Sequence, residues 1–258
     1  MNQFLNLLWI LVLFIPSVHA QHTFSIVAVD VLTGEVGGAG ATCLDNIMLK
    51  GEEGALVIND IIPGKGVIHS QAEWIPENQL AARQRMMSGE SPARIIDWLV
   101  QNDSRADGKA AMDRQYGIVD LYESSSRTSA FTGGMNPSYA GHLTGPNYSI
   151  QGNVISGPEV LKDMQRAFLN TGGDLAARLM AAMQEAKRVG ADIRCAKEGV
   201  SSLSAFLRVA QPDDVNAEYG KLSLDINVGH TPDGIDPIDV LQLEYESRRT
   251  KTAGTDGP

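Results

Sequence analysis

Nowhere along the 258 residues do lysine and arginine gather into a patch, and they are outnumbered 21 to 31 by aspartate and glutamate. A net charge of −10 argues against nucleic acid as a partner and against attraction to anionic membranes. Cysteine is nearly absent: Cys43 and Cys195 stand alone, neither in a CxxC pair nor at the spacing of a zinc cluster, so no metal is implied. Paired glycines occur in "TGGMNPSYAGH", but without a Walker lysine or a strand-turn-helix setting, and no nucleotide or other cofactor is indicated. No apolar stretch reaches the roughly 20 residues that a bilayer-spanning helix needs. What is there is an ordinary globular composition, 43% hydrophobic and 20% charged, enough for a sizeable core.

The N-terminus reads differently from the rest. "FLNLLWILVLFIP" is an apolar run of 13 residues broken by one Asn, and "SVHA" then offers small residues for a cut after Ala20. That pattern predicts a secretory signal over residues 1–20, with an uncleaved anchor as the alternative, and hence a secreted or periplasmic protein with no stable membrane span after cleavage. An oxidising compartment allows Cys43 and Cys195 to pair. The loop so closed is long, and the chain-entropy model assigns the bond roughly 4 to 5 kcal/mol. Two separate buried thiols remain the other reading.

Along the remaining chain, "TFSIVAVDVLTGEVGGAGATC" alternates as a β-hairpin, with Phe24, Ile26 and Ala28 on one face and Ser25, Val27 and Val29 on the other. "GALVIND" and "GKGVIHSQAEW" read as two more strands. "PENQLAARQRMMSG" predicts a helix with Leu80, Ala81, Gln84 and Met87 on one face. "SPARIIDWLVQND" predicts another, with Ser91 as N-cap and Ile95, Ile96, Leu99 and Val100 buried. A second hairpin over "RQYGIVDLYESSSRTSAFTG" and two short strands in "YAGHLTGPNYSIQGNVISG" follow. Two helices come next, one burying Val160, Leu161, Met164 and Phe168, the other starting at Asp174 and burying Leu175, Leu179 and Met183. "SSLSAFLRVAQP" and "KLSLDINVG" are strands, "DPIDVLQLEYESRR" a last helix, and residues 250–258 a flexible tail. The order of strands, helices, strands, helices, strands and helix suits mostly antiparallel sheets with helices outside, an α+β architecture within one domain over residues 21–249.

Taken in series, "TFSIVAVD", "TGEVGGAGA", "RQYGIVD", "AFTG", "YAGH" and "IQGNVISGPEVL" resemble the DUF1028 family, from Thr23 to about Arg249. The family is grouped with the N-terminal nucleophile hydrolases, and the resemblance implies their four-layer αββα sandwich. It also implies a nucleophile at Thr23. A threonine hydroxyl needs a base within reach, and a free α-amine on the same residue, of ordinary pKa ~7.7 to 8.0, can be that base. Asn153 in "QGN" is then expected to donate to an oxyanion, and Gln71 in "HSQAEW" to orient substrate. For Asn153 a turn role, and for Gln71 a capped strand end, are the alternatives.

Two features depart from the family pattern. A cut after Ala20 leaves Gln21 and His22 ahead of Thr23, so a second cut is required. Where relatives often carry a serine-lysine pair at the end of the second strand, this chain has Thr42 and Cys43, with Lys50 or Lys65 as the remaining lysines that could approach. His69 and His142 are flanked by motif residues and are carried as binding candidates; a metal pair of the two and hydrogen-bonded core or loop histidines are both open. The function expected is an exported amide or peptide hydrolase acting on a small-molecule amide or short peptide. Some members of the family are joined to a peptidoglycan-binding domain, which points to cell-wall peptides; no such segment is read here. A catalytically silent binding or structural module of the same fold is the rival, and a homo-oligomer is compatible with either.

Overall fold

A computed structural model describes residues 19–49, 54–104 and 111–255. The leader expected over residues 1–20 therefore lies outside the described residues except for its last two, and so does Lys50. Among the described residues, eleven strands form two antiparallel sheets. The first sheet holds β1 (His19–Gln21), β4 (Asn59–Ile62), β5 (Gly66–Trp74), β6 (Arg114–Tyr122) and β7 (Ser125–Thr132). The second holds β2 (Thr23–Val29), β3 (Val36–Thr42), β8 (Tyr139–Thr144), β9 (Tyr148–Ile155), β10 (Ser204–Ala210) and β11 (Leu224–Val228), in the order β11-β10-β3-β2-β9-β8.

The sheets pack face to face, and helices cover their outer sides. α1 (Pro76–Met87) and α2 (Pro92–Gln101) lie on the first sheet, and α3 (Pro158–Asn170), α4 (Leu175–Ala186) and α5 (Pro237–Thr255) on the second. This is the αββα arrangement. Alternation along β2 explains the layering. Phe24, Ile26 and Ala28 pack with Leu161, Met164 and Leu179 under the helices, while Val27 and Val29 face the other sheet. Side chains of this size contribute roughly 1.5–3 kcal/mol each when fully buried. Among the described residues no helix is long and apolar enough to cross a membrane.

Three local expectations are revised. Residues 54–58 form a 3-10 turn rather than the start of a strand, with β4 beginning only at Asn59. Helix α1 is present, but it buries Asn78, Ala82 and Met86 and leaves Leu80 and Met87 exposed. A polar anchor sets that face: Asn78 Nδ2 donates to the Tyr116 hydroxyl and to Asp103, 3.0 Å each. At the other end α5 continues through Thr255, over residues read from sequence as tail.

Candidate functional site at the head of the second strand

Thr23 opens β2, pairs with Thr42 at the end of β3, and is fully buried. Immediately before it, β1 lies on the other sheet: His19, Ala20 and Gln21 pair with Trp74, Glu73 and Ala72 of β5. The chain thus crosses from one sheet to the other at His22, and the His22–Thr23 peptide sits at the crossing.

The carbonyl of that peptide is held by two donors. Thr42 Oγ1 donates to it, and so does Arg194 Nη2 at 2.8 Å; the same Nη2 also donates to Thr42 Oγ1 at 3.2 Å. Arg194 is fixed by a fork onto the buried carboxylate of Asp192, with Nε 3.0 Å from Oδ1 and Nη2 2.6 Å from Oδ2. Asp192 Oδ2 in turn accepts from the Cys43 amide at 3.0 Å. Cys43 and Cys195 form a disulfide with Cα atoms 5.6 Å apart. Each half-cystine is therefore the chain neighbour of one donor, Thr42 or Arg194. The cation at this site is an arginine from a distant segment, where the sequence reading looked for a lysine. Lys65 instead donates to the Met87 carbonyl at 3.0 Å, beside the far end of β5.

Below this peptide runs a buried amide network. Gln71 Nε2 donates to the Thr23 carbonyl at 3.0 Å and to Gln115 Oε1 at 2.7 Å. Asn153 Nδ2 donates to the same Gln115 oxygen at 2.8 Å, and Asn153 Oδ1 accepts from His22 Nδ1 at 2.7 Å. Gln115 Nε2 reaches the Thr132 hydroxyl and the carbonyls of Gly141 and Gly152. Thr23, Gln71 and Asn153, named from sequence, are thus brought together, and Gln115 joins them. Asn153 is turned toward Gln115 and His22, while the donors on the carbonyl are Thr42 and Arg194.

The histidines stand at the ends of this network. His142 Nδ1 is hydrogen-bonded to the Thr132 hydroxyl at 2.9 Å, one bond beyond Gln115. His69 is fully buried, bonded to Asn59 at 2.9 Å and approached by Gln151 Nε2 at 3.4 Å; Gln151 donates to Ser25, and Ser25 to Gln71. Burial drives the His69 pKa down to about 3, so the ring is neutral. Burial also lowers His142, and burial followed by the Arg194 charge lowers His22. Among the described residues, no group of three or more His, Cys, Asp and Glu side chains is placed to hold a metal. Glycines make room for this polar layer. A Cβ on Gly117 would fall 2.0 Å from Gln151 Oε1, and one on Gly38 would fall 2.6 Å from His69 Nε2.

Strain marks the same place. Ala72, next to Gln71, has φ 70°, and Val154, next to Asn153, has φ 56°. Left-handed backbone is unfavourable for any residue with a Cβ and most of all for a β-branched one, at a cost of about 1–3 kcal/mol each. Val154 is the extra residue of a bulge, since Tyr139 pairs with Ile155 and Ala140 with Asn153. Gln21 adds a further cost. It is fully buried, and neither its Oε1 nor its Nε2 has a hydrogen-bond partner, which costs about 1–3 kcal/mol per unsatisfied group. Thr23 Oγ1 donates to the Gln21 carbonyl at 2.8 Å. A hydroxyl, a polarised carbonyl on the preceding residue and an unsatisfied segment ahead of it can support transfer of the His22 acyl group from nitrogen to oxygen.

No curated protein matches the chain. It is similar to a protein from Silicibacter pomeroyi of the DUF1028 family, known by its crystal structure, with 26% identity, 88% of each chain covered and a TM-score of 0.67. The family model described as "Family of unknown function (DUF1028)" matches residues 23–238, so the matched region begins at Thr23 itself. The chain belongs to the DUF1028 family, whose function is unknown.

Proposed function

We propose that the protein is exported and acts as an amide hydrolase of the N-terminal nucleophile type, with Thr23 as nucleophile once residues through His22 are gone. The observation that carries this reading is the pair of donors, Thr42 and Arg194, on the carbonyl of the residue before Thr23. Attack of Thr23 Oγ1 on the His22 carbonyl carbon breaks the His22–Thr23 C–N bond and forms an ester. The hydroxyl proton passes to the Thr23 nitrogen. Water then hydrolyses the ester, leaving a His22 carboxylate and a free Thr23 amine. Two well-placed donors lower the barrier to the tetrahedral intermediate, each worth roughly 3 kcal/mol.

The freed amine and hydroxyl then act on a substrate in the same order. The amine takes the hydroxyl proton as oxygen attacks the substrate carbonyl, and delivers it to the departing nitrogen. The Arg194 charge beside the amine lowers its pKa and keeps more of it neutral. Gln71, Gln115 and Asn153 hold the Thr23 main chain and the strand ends in place. Small extracellular amides and short peptides, cell-wall peptides among them, are the substrates proposed.

The rival, a silent binding module, draws on one observation: in the full chain the Thr23 amine is spent in a peptide bond and its hydroxyl is buried. Intact mass of the exported protein separates the two. Wild type is expected to begin at Thr23, and Thr23→Ala to keep Gln21 and His22. A wild-type chain that still begins at Gln21 or pyroglutamate ends the hydrolase reading.

A further inference from the structure

The geometry points to an extended peptide as the substrate class, its acyl side added as a strand to the edge of β5 at Ala72–Trp74, where residues 19–21 lie in the full chain. This rests on Thr23 as the nucleophile and adds what lies on the acyl side of the bond it cuts.

Chemistry makes the first link. The ester formed when Thr23 Oγ1 takes over the His22 acyl group is an acyl-enzyme, and residues up to His22 are its acyl group. A peptide substrate cut by Thr23 gives an ester of the same kind. Its acyl residues therefore belong where residues 19–22 lie, with the scissile carbonyl between Thr42 and Arg194.

The sheet makes the second link. Ala72 pairs with Arg114 of β6 on one side and with Gln21 on the other, so β1 occupies the outer edge of β5. β4 covers that same edge only from Gly66 to His69. Once residues 19–22 leave, the main-chain groups of Ala72 and Trp74 that β1 covered are a short open edge, while the Glu73 N–H stays bonded to the Asp113 carbonyl at 3.1 Å. An extended chain satisfies such edge groups by strand addition.

Gln21 makes the third. Its side chain is fully buried, yet both amide atoms lack partners, so its pocket accepts the length of the side chain without matching its polarity. Main-chain pairing holds the segment there. An unbranched apolar side chain such as methionine fits the same space without the unsatisfied groups. The enzyme is thus expected to favour peptides with several residues on the acyl side, apolar at the second residue before the cut, over amides of single amino acids.

The test uses the chain beginning at Thr23, where the family match begins, and two 4-nitroanilides with the same scissile bond, His-Ala-Gln-His and acetyl-His. The tetrapeptide is expected to react with kcat/KM at least tenfold higher. Methionine in place of its glutamine should raise this further, and N-methylation at its glutamine, the residue opposite Ala72, should remove the advantage. Calorimetry with the free tetrapeptide acid follows binding separately from turnover. Equal turnover of both anilides, with Thr23 acylated by mass, overturns the strand-edge inference and leaves the nucleophile standing. Tetrapeptide binding that N-methylation weakens at least tenfold, with neither anilide turned over, sinks the nucleophile and keeps the edge as a peptide site. Absence of both binding and length preference overturns the edge.

Discussion

Strands β2 and β3 meet different surroundings at their two ends. At the far end Val27, Val29 and Val36 face Ile61, Val67 and Val119 across the sheets in an apolar cluster. At the near end Thr23 and Thr42 face the buried Gln71, Gln115 and Asn153 and the partly exposed Arg194, joined by hydrogen bonds. The apolar end gains free energy from burial, and the left-handed Glu123 there lies in the exposed turn between β6 and β7. The polar end gains little, since each bond replaces one to water, and it also carries the strained Ala72 and Val154 and the unsatisfied Gln21. A fold that carries such costs at one end of one layer is maintaining a geometry there, and that end is where the proposed chemistry is placed.

Substitutions can sharpen this contrast. The largest effect is expected from replacing both Cys43 and Cys195 by serine. With the halves 152 positions apart in sequence, the chain-entropy model puts the loss at about 5 kcal/mol, read as a lower urea midpoint, and removal of residues 21–22 should slow as well. Thr42→Val keeps the shape of the side chain and deletes one donor from the His22 carbonyl. It should slow release of Thr23 and turnover by roughly 10²–10³, followed by mass and by anilide hydrolysis, with the urea midpoint moved by only about 1 kcal/mol. At the other end Ile61→Ala should do the reverse, losing about 2–4 kcal/mol of stability while the folded fraction processes at the wild-type rate. If Ile61→Ala slowed processing as much as Thr42→Val, the two ends would not be separate.

The smallest effect is one of pH. His69 has a native pKa of about 3 against 6.5 for the ordinary side chain. Below pH 6.5 the unfolded chain binds a proton that the native state refuses, so stability is fully present above 6.5 and is lost as the pH falls toward 3. Between pH 7 and pH 5 this group should cost about 2 kcal/mol, seen as a shift in urea midpoint, and His69→Gln should flatten that dependence.

Much of this was legible in the sequence. Period-2 alternation in "TFSIVAV" and helical stripes such as Val160, Leu161, Met164 and Phe168 depend on local spacing, which determined the elements, while the four-layer order came with the family resemblance. Gln71 and Asn153 were legible through the family resemblance, as polar residues at strand ends. Arg194 was not, because it lies in a short 3-10 segment and reaches the site only through a contact 172 residues away in the chain. One signal could have located it: if Cys43 pairs with Cys195, then Thr42 and Arg194, their neighbours, must meet. Gln115 was written in "RQYGIVD", on the same alternating face as Gly117 and Val119, but only the register with β5 puts it beside Gln71. β1 was missed because its residues had been assigned to the leader and to the gap before Thr23, and strand pairing with β5 is a tertiary fact.

The bond between Cys43 and Cys195 also sets an order of events. Until it closes, only noncovalent contacts such as the Cys43 amide on Asp192 and Arg194 on Thr42 hold the segment bearing Arg194 to the end of β3, so the two donors on the His22 carbonyl are less firmly fixed. If the protein is exported as proposed, a newly made polypeptide in a thiol-rich cytosol lacks this tether and gains it only in the compartment that oxidises it.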